Sequence, residues 1–118
     1  MSRKVGNEAE STAVEALKSA GYEILERNYN TRVGEIDIIA EKDGHICFVE
    51  VKYRNPQGYG TAIDAITKTK MHKILMTAKQ YLYEVGKADA DYRIDAVLID
   101  CKNVEIVTNI YTQGMHDV

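Results

Sequence analysis

The sequence has only two cysteines, Cys47 and Cys101, and three histidines, His45, His72 and His116. No CxxC pair and no pair of histidines stands at ligand spacing, so a zinc site is not expected. The chain also lacks any apolar run near the ~20 residues that cross a bilayer. Its first residues, MSRKVGNEAES, lack the apolar segment of a signal peptide. Each cysteine sits inside an apolar, strand-like run, and buried reduced thiols in a cytoplasmic protein are the simplest account of them. There are no internal repeats, low-complexity stretches or long linkers, so 118 residues predict one domain over 1–118 with one core. An apolar fraction of 45% is too high for a disordered chain.

Excess positive charge is missing as well. The net charge is -3, which argues against a surface coated in phosphate-binding cations. Its distribution is uneven. Residues 52–79 carry six Lys and Arg (Lys52, Arg54, Lys68, Lys70, Lys73 and Lys79) against the single Asp64. The segments on either side are each acidic. A basic centre between acidic arms predicts a local anion-binding surface, and a solvated helix face would give a milder version of the same bias.

Hydrophobic periodicity predicts a helix over residues 4–20, where Val5, Ala9, Ala13, Ala16, Leu17 and Ala20 share one side and Gly21 stops the helix. Glu8 falls at or near that inward side, but in the first turn a negative charge suits the helix dipole, and the pattern alone favours a surface glutamate. Residues 22–29 predict a strand with imperfect alternation. The stretch GEIDIIAEKDGHICFVEVKYR, Gly34 to Arg54, predicts two strands joined by a tight turn at Asp43-Gly44. Ile36, Ile38, Ala40, Cys47, Val49 and Val51 form one apolar side, with Ile39, Ile46 and Phe48 on the other, so the sheet needs cover on both faces. NPQGYGTA predicts a loop, residues 62–85 a second helix, and residues 92–100 and 104–111 two further strands. The order α-β-β-β-α-β-β implies a mixed α/β sheet with helices packed on it.

Three charged residues interrupt the apolar hairpin: Asp37, Glu50 and Lys52. With Asp43-Gly44 as a two-residue turn, Lys42 faces His45. Asp37 is then opposite Glu50, and Glu35 opposite Lys52. Opposed carboxylates repel, and in strands this apolar a hard divalent cation bound between them resolves the conflict. Mg²⁺ is the usual choice. Glu50 and Lys52 share a face, so a carboxylate pair, a cation site and an ammonium converge, which suits phosphodiester hydrolysis. An ion-pair cluster at an exposed strand end is the plainer alternative for the same residues.

Asp37, twelve intervening residues, then Glu50-Val51-Lys52 resembles the PD-(D/E)XK nuclease motif, with Ile36 in place of its proline. More closely, the chain resembles the YraN family of small bacterial proteins, which is described as distantly similar to archaeal Holliday-junction resolvases. The resemblance rests on Gly6 to Ala9 with Glu8, on GYEILERNYNTRVGEIDIIA, on FVEVKYR, and on the lysine-bearing start of the second helix through Tyr81-Leu82. It implies a restriction-endonuclease-like αβββαβ core. It implies that Asp37 and Glu50 bind Mg²⁺ (or Mn²⁺), with the Val51 carbonyl as a further ligand, and that Lys52 is the catalytic lysine. Glu8 corresponds to a first-helix acidic residue that reaches the metal directly or through water. Lys70 approaches the phosphate backbone, with Arg54, Lys68 and Lys73 as lesser contacts. The function implied is a metal-dependent endonuclease acting on structured or branched DNA. The alternative is a nucleic-acid-binding module in repair, recombination or uptake with little turnover, which the negative net charge favours. Resolvase relatives work as dimers, so a homodimer is a further expectation. For Tyr53, packing beside the strand is favoured over stacking on bases.

Overall fold

The computed structural model of the protein describes residues 3–53, 66–100 and 103–111, with side chains from residue 8 onward. The first helix, α1, spans Arg3–Ser19, followed by β1 (Glu23–Asn30), β2 (Glu35–Lys42) and β3 (His45–Tyr53). Helix α2 (Lys68–Glu84), β4 (Tyr92–Ile99) and β5 (Val104–Val107) are the remaining elements among the described residues. The strands form one sheet in the order β1-β2-β3-β4-β5. Only β3 and β4 run parallel; the other three pairs are antiparallel. The parallel pair needs a crossover, and α2 lies within it. This is the mixed α/β arrangement expected from the element order, and it is consistent with the restriction-endonuclease-like core that the resemblance implied.

Each helix covers one face of the sheet, which explains why the central strands are apolar on both sides. Ala9, Ala13, Val14 and Leu17 of α1 pack on Ile38, Ala40, Cys47, Val49, Val97 and Ile99. Met71, Ile74, Leu75, Ala78, Tyr81 and Leu82 of α2 pack on Ile39, Ile46, Phe48 and Ile94. Helix α1 ends as its sequence predicts: Tyr22 N donates to Leu17 O at 2.9 Å and Gly21 N to Lys18 O at 3.0 Å, a Schellman motif. Helix α2 begins later than its periodicity suggested. The Thr67 hydroxyl accepts from Lys70 N and caps the helix, so Ile66 and Thr67 are not helical, while 62–65 fall outside the described residues. The last strand is also shorter than expected. It stops at Val107, and Asn109, with φ 55°, turns the chain so that its N–H reaches Asp95 Oδ1 at 2.8 Å.

The hairpin turn is the one predicted. Asp43 has φ 52° and Gly44 φ 81°, as a type I′ turn requires. Its register runs from Lys42↔His45 to Ile38↔Val49. A side chain at Gly44 would meet nothing within 4 Å, so its φ alone sets the penalty for a substitution. Gly44→Ala should lower unfolding free energy by about 1 kcal/mol in urea titrations without changing the m-value. A loss below a few tenths would mean that the turn relaxes to another type.

One expectation about the hairpin is corrected. Ile36 does not share a face with Ile38: Ile38 packs under α1, whereas Ile36 packs under α2. The β2–β3 ladder ends at Ile38↔Val49. In an antiparallel ladder the next hydrogen-bonded pair would be Ile36 and Val51. Instead Val51 N donates to the Asp37 carboxylate at 2.8 Å. The two strands separate there, and a side chain takes the place of a backbone carbonyl.

Candidate functional site

A cavity of about 260 Å³ opens at this separation, lined by Ala9, Glu10, Asn28, Glu35, Asp37, Val51, Lys52 and Tyr53. Four elements contribute to it: α1, β1, β2 and β3. Each supplies a polar side chain next to the point where the sheet ladder stops. A second cavity of about 330 Å³ lies on the α2 side, between Val33–Glu35 and Thr67, Thr69, Lys70 and Lys73. Glu35 lines both. The loop before β2 sits close on α2, since a Cβ on Gly34 would come within 3.2 Å of Thr77 Oγ1.

The carboxylates come together as the hairpin register implied, though beyond the end of the regular ladder. Glu50 is 7% exposed. Burial pushes its carboxyl up to about 8, helped by the hydrogen bond with and the charge of Asp37 and opposed by Lys70 and Lys52. Lys70 Nζ lies 3.6 Å from Glu50 Oε1. Burial works against the charge on Lys70, but Glu50, the hydrogen bond with Lys52 and Asp37 together hold its pKa above the ordinary lysine value. The shifts of Glu50 and Lys70 pull in opposite senses, one resisting ionisation and the other resting on an ionised partner. Burial decides between them: the ion-pair distance is longer than a hydrogen bond, so without a further cation the proton stays on Glu50. Lys52 is depressed by burial and by hydrogen bonding to and repulsion from Lys70, against the pull of Glu50 and Asp37. The two ammonium groups share a site that an anion would relieve.

The folded-state value of about 8 for Glu50 stands above the ordinary 4.5. Between those values the folded protein holds a proton that the unfolded chain releases, so this group's contribution to stability falls as pH rises from 4.5 to 8. Glu50→Gln cannot ionise and should remove the dependence. Relative to the parent, the variant should gain roughly a few kcal/mol of stability between pH 5 and pH 8, measured by urea unfolding in chelator. An equal difference at both pH values would show that Glu50 ionises alike in the folded and unfolded chain.

Glu8 is exposed on α1, the surface position that the pattern favoured and not the inward one that the resemblance implied. Two positions on, Glu10 is 7% exposed and lines the cavity with Asp37. Its Oε1 is buried without a hydrogen-bond partner, and Arg27 Nη2 lies 3.9 Å away. Burial first and Asp37 second raise its pKa, against Arg27 and a hydrogen bond from Asn28. The sequence did contain a signal for Glu10. It stands three, four and seven residues before Ala13, Val14 and Leu17, the stripe that α1 buries. Of the other expected contacts, Lys68 and Lys73 are exposed, Lys73 borders the second cavity, and Arg54 lies outside the described residues. Tyr53 is 49% exposed at the first cavity and is not packed into the core. Cys47 is buried and unpaired.

The donor chemistry fits a hard cation. Glu10, Asp37 and Val51 line one cleft, Glu50 adjoins Asp37 beside it, and Glu10 Oε1 is buried with no hydrogen-bond partner. Among the described residues no three His, Cys, Asp or Glu side chains close into a cage for an ion. Such a site would suit Mg²⁺, which keeps several waters and takes one or two carboxylates.

The family model for Uncharacterised protein family UPF0102 matches residues 9–99. The chain belongs to this family. A UPF0102 protein of Fusobacterium nucleatum is 41% identical over 108 residues, covering 92% of this chain and 91% of its own. Another, of Campylobacter hominis, is 45% identical over 107 residues, covering 91% and 93%. A third, of Vibrio parahaemolyticus, is 36% identical over 115 residues, covering 95% of each chain. The UPF0102 match begins within α1 and ends with β4, so it includes part or all of every element that lines the first cavity. No helix among the described residues is long and apolar enough to cross a membrane.

Proposed function

We propose that this UPF0102 protein is a metal-dependent nuclease that hydrolyses phosphodiester bonds in DNA, with branched or otherwise structured DNA as its substrate. The observation that carries this reading is the junction of unlike charges where β2 and β3 separate. Asp37 and Glu50 crowd together, Lys52 and Lys70 press on each other, and Lys70 Nζ also reaches Glu50 Oε1 at 3.6 Å. A plain ion-pair cluster at a strand end would leave each carboxylate against its own cation and nothing else. Here each of these groups has a like group beside it as well, an arrangement that a cation at the acids and an anion at the lysines would relieve.

Asp37, Glu50 and the Val51 carbonyl would hold Mg²⁺ or Mn²⁺. Glu10, rather than the exposed Glu8, extends the acidic wall from α1. A bound Mg²⁺ would supply a water of lowered pKa and polarise a phosphoryl oxygen. Asp37, fixed by Val51 N–H, holds its carboxylate in place before any ligand arrives. Glu50 would have to release its proton to serve as a ligand, so affinity should rise with pH towards 8. Lys52 faces the charge that gathers on the phosphoryl oxygens as water adds and the bond to the leaving oxygen breaks. Lys70 orients Glu50, and Lys73 with Lys68 extends positive charge along the start of α2 for neighbouring phosphates.

The test is incubation of the purified protein with linear duplex, single-stranded, flap and four-way-junction DNA, in Mg²⁺ or Mn²⁺ and in EDTA. Cutting that requires the metal supports the reading. Salt-sensitive binding with no cutting under any condition would instead leave a nucleic-acid-binding module. Absence of both would overturn the proposal. Sedimentation of the same protein alone and with junction DNA tests the expected homodimer.

A further inference from the structure

The feature that remains unexplained is why Asp37 reaches the cavity at all. Strict alternation along β2 would turn Asp37 to the same face as Ile39, which is buried under α2. The structure shows a reversal in both paired strands at the same level. In β2, Ile38 lies under α1 and Ile36 under α2, although they are two residues apart. In β1 their partners do the same. Arg27 is on the α1 side, with its Nη2 3.9 Å from Glu10 and 3.4 Å from Ser11 Oγ. Tyr29 is on the α2 side, its ring 5.3 Å from that of Tyr81. Both strands therefore make a half-turn over one residue step, and the residues at its centre are Asn28 and Asp37.

Asn28 has φ 54°. A left-handed residue inside a strand reverses the sense in which the following side chains project, and among non-glycine residues asparagine tolerates that region best. Locally, Asn30 Nδ2 donates to Asn28 O at 3.0 Å, which fastens the kink. Tyr29 OH then donates to Glu84 Oε1 of α2, anchoring the far side of the half-turn to the helix. Asn28 also lines the cavity beside Glu10 and Asp37.

We infer that Asn28 is a positioning residue: its left-handed backbone turns β1 and β2 together, and so brings the Asp37 carboxylate to Val51 N–H and to Glu10. This deepens the nuclease reading, because it names the residue that sets the acidic half of the site. Its geometric part holds whether or not that reading does.

Two substitutions separate the backbone from the side chain. Asn28→Gly keeps the left-handed conformation without the amide. Asn28→Val opposes that conformation, because a β-branched residue is strongly disfavoured there. The first readout needs no metal: hydrogen exchange of the Val51 amide, whose partner is the Asp37 carboxylate. Protection should be retained in Asn28→Gly and fall at least tenfold in Asn28→Val, relative to the Phe48 amide in the same strand. The second readout is Mn²⁺ affinity by calorimetry, expected within threefold of the parent for Asn28→Gly and at least tenfold weaker for Asn28→Val. Leu25→Ala, in the same strand and partly exposed, serves as the control for lost stability alone and should leave Val51 protection relative to Phe48 unchanged. Equal Val51 protection in the glycine and valine variants would overturn the inference, as would equal loss in both. If Asn28→Val does not fold, Asn28→Ala replaces it with the same expected order. Failure of the parent to bind Mn²⁺, with Val51 protection behaving as expected, would count against the nuclease reading and leave the positioning role standing.

Discussion

Asp37→Asn should abolish metal-dependent cleavage while leaving the fold in place. Asparagine keeps an oxygen that can accept from Val51 N–H, the bond that Asp37 makes at 2.8 Å, so the end of the β2–β3 ladder has no reason to open. What it loses is the charge that a divalent cation needs, and with it the repulsion that adds to burial in raising the Glu50 pKa. Cleavage rates should fall by at least roughly 10²–10³, and calorimetry should show the loss of Mg²⁺ or Mn²⁺ binding. Lys52→Ala should separate the two functions. The cation should still bind, because its ligands are untouched, and binding should even tighten as one neighbouring positive charge is removed. Turnover should fall by about the same 10²–10³. Retained cleavage in both variants would show that the acids and the lysine form a structural ion-pair cluster. Retained cleavage in Asp37→Asn alone would move the cation to other ligands.

The second large effect concerns stability. Asp95 is 0% exposed and collects three partners from three parts of the chain. Tyr22 OH donates to its Oδ2 at 2.8 Å, Arg93 Nε donates at 3.1 Å, and Asn109 N donates to its Oδ1 at 2.8 Å. Arg93 also donates to Tyr22 OH at 3.3 Å. The network ties the end of α1 and the segment after β5 to β4. Asp95 and Tyr22 push the Arg93 pKa further up, and burial with the Asp95 bond pushes the Tyr22 hydroxyl up to about 12. Asp95→Ala leaves a guanidinium, a phenol and a backbone N–H without their acceptor, and should cost about 3–5 kcal/mol. Removing Arg93 as well should recover part of that loss, since the stranded charge goes with it. Chemical denaturation of the two single variants and the double variant measures the coupling. A loss below about 1 kcal/mol for Asp95→Ala would mean that water replaces the carboxylate.

These two acidic residues were not equally visible before the fold was known. Asp37 interrupts a run of isoleucines, and a charge in such a run is conspicuous. Asp95 also interrupts an apolar run, in RIDAVLID, where only Arg93, two residues earlier, stands near it as a partner. Its other partners, Tyr22 and Asn109, reach it only through the fold. Lys70 and Glu50 form a similar case. The resemblance placed Lys70 near phosphate, but its position 3.6 Å from Glu50 depends on how α2 lies across the β3 face.

What the sequence alone determined is what local physics controls. The element order follows from period and turn chemistry. Asp43-Gly44 sets a two-residue hairpin, and its register follows by counting from the turn. Tertiary structure decided which side chains reach the site. Glu8 and Glu10 differ by about 200° around a helix, so the orientation of α1 on the sheet chooses between them, and packing of Ala13, Val14 and Leu17 selects Glu10. Ile36 was assigned by alternation to the α1 face, and a left-handed Asn28 on the neighbouring strand sends it to the other. Alternation is a property of one strand in isolation. Where two strands turn together and separate, the positions of their side chains are set by the pair and by the helices that cover them.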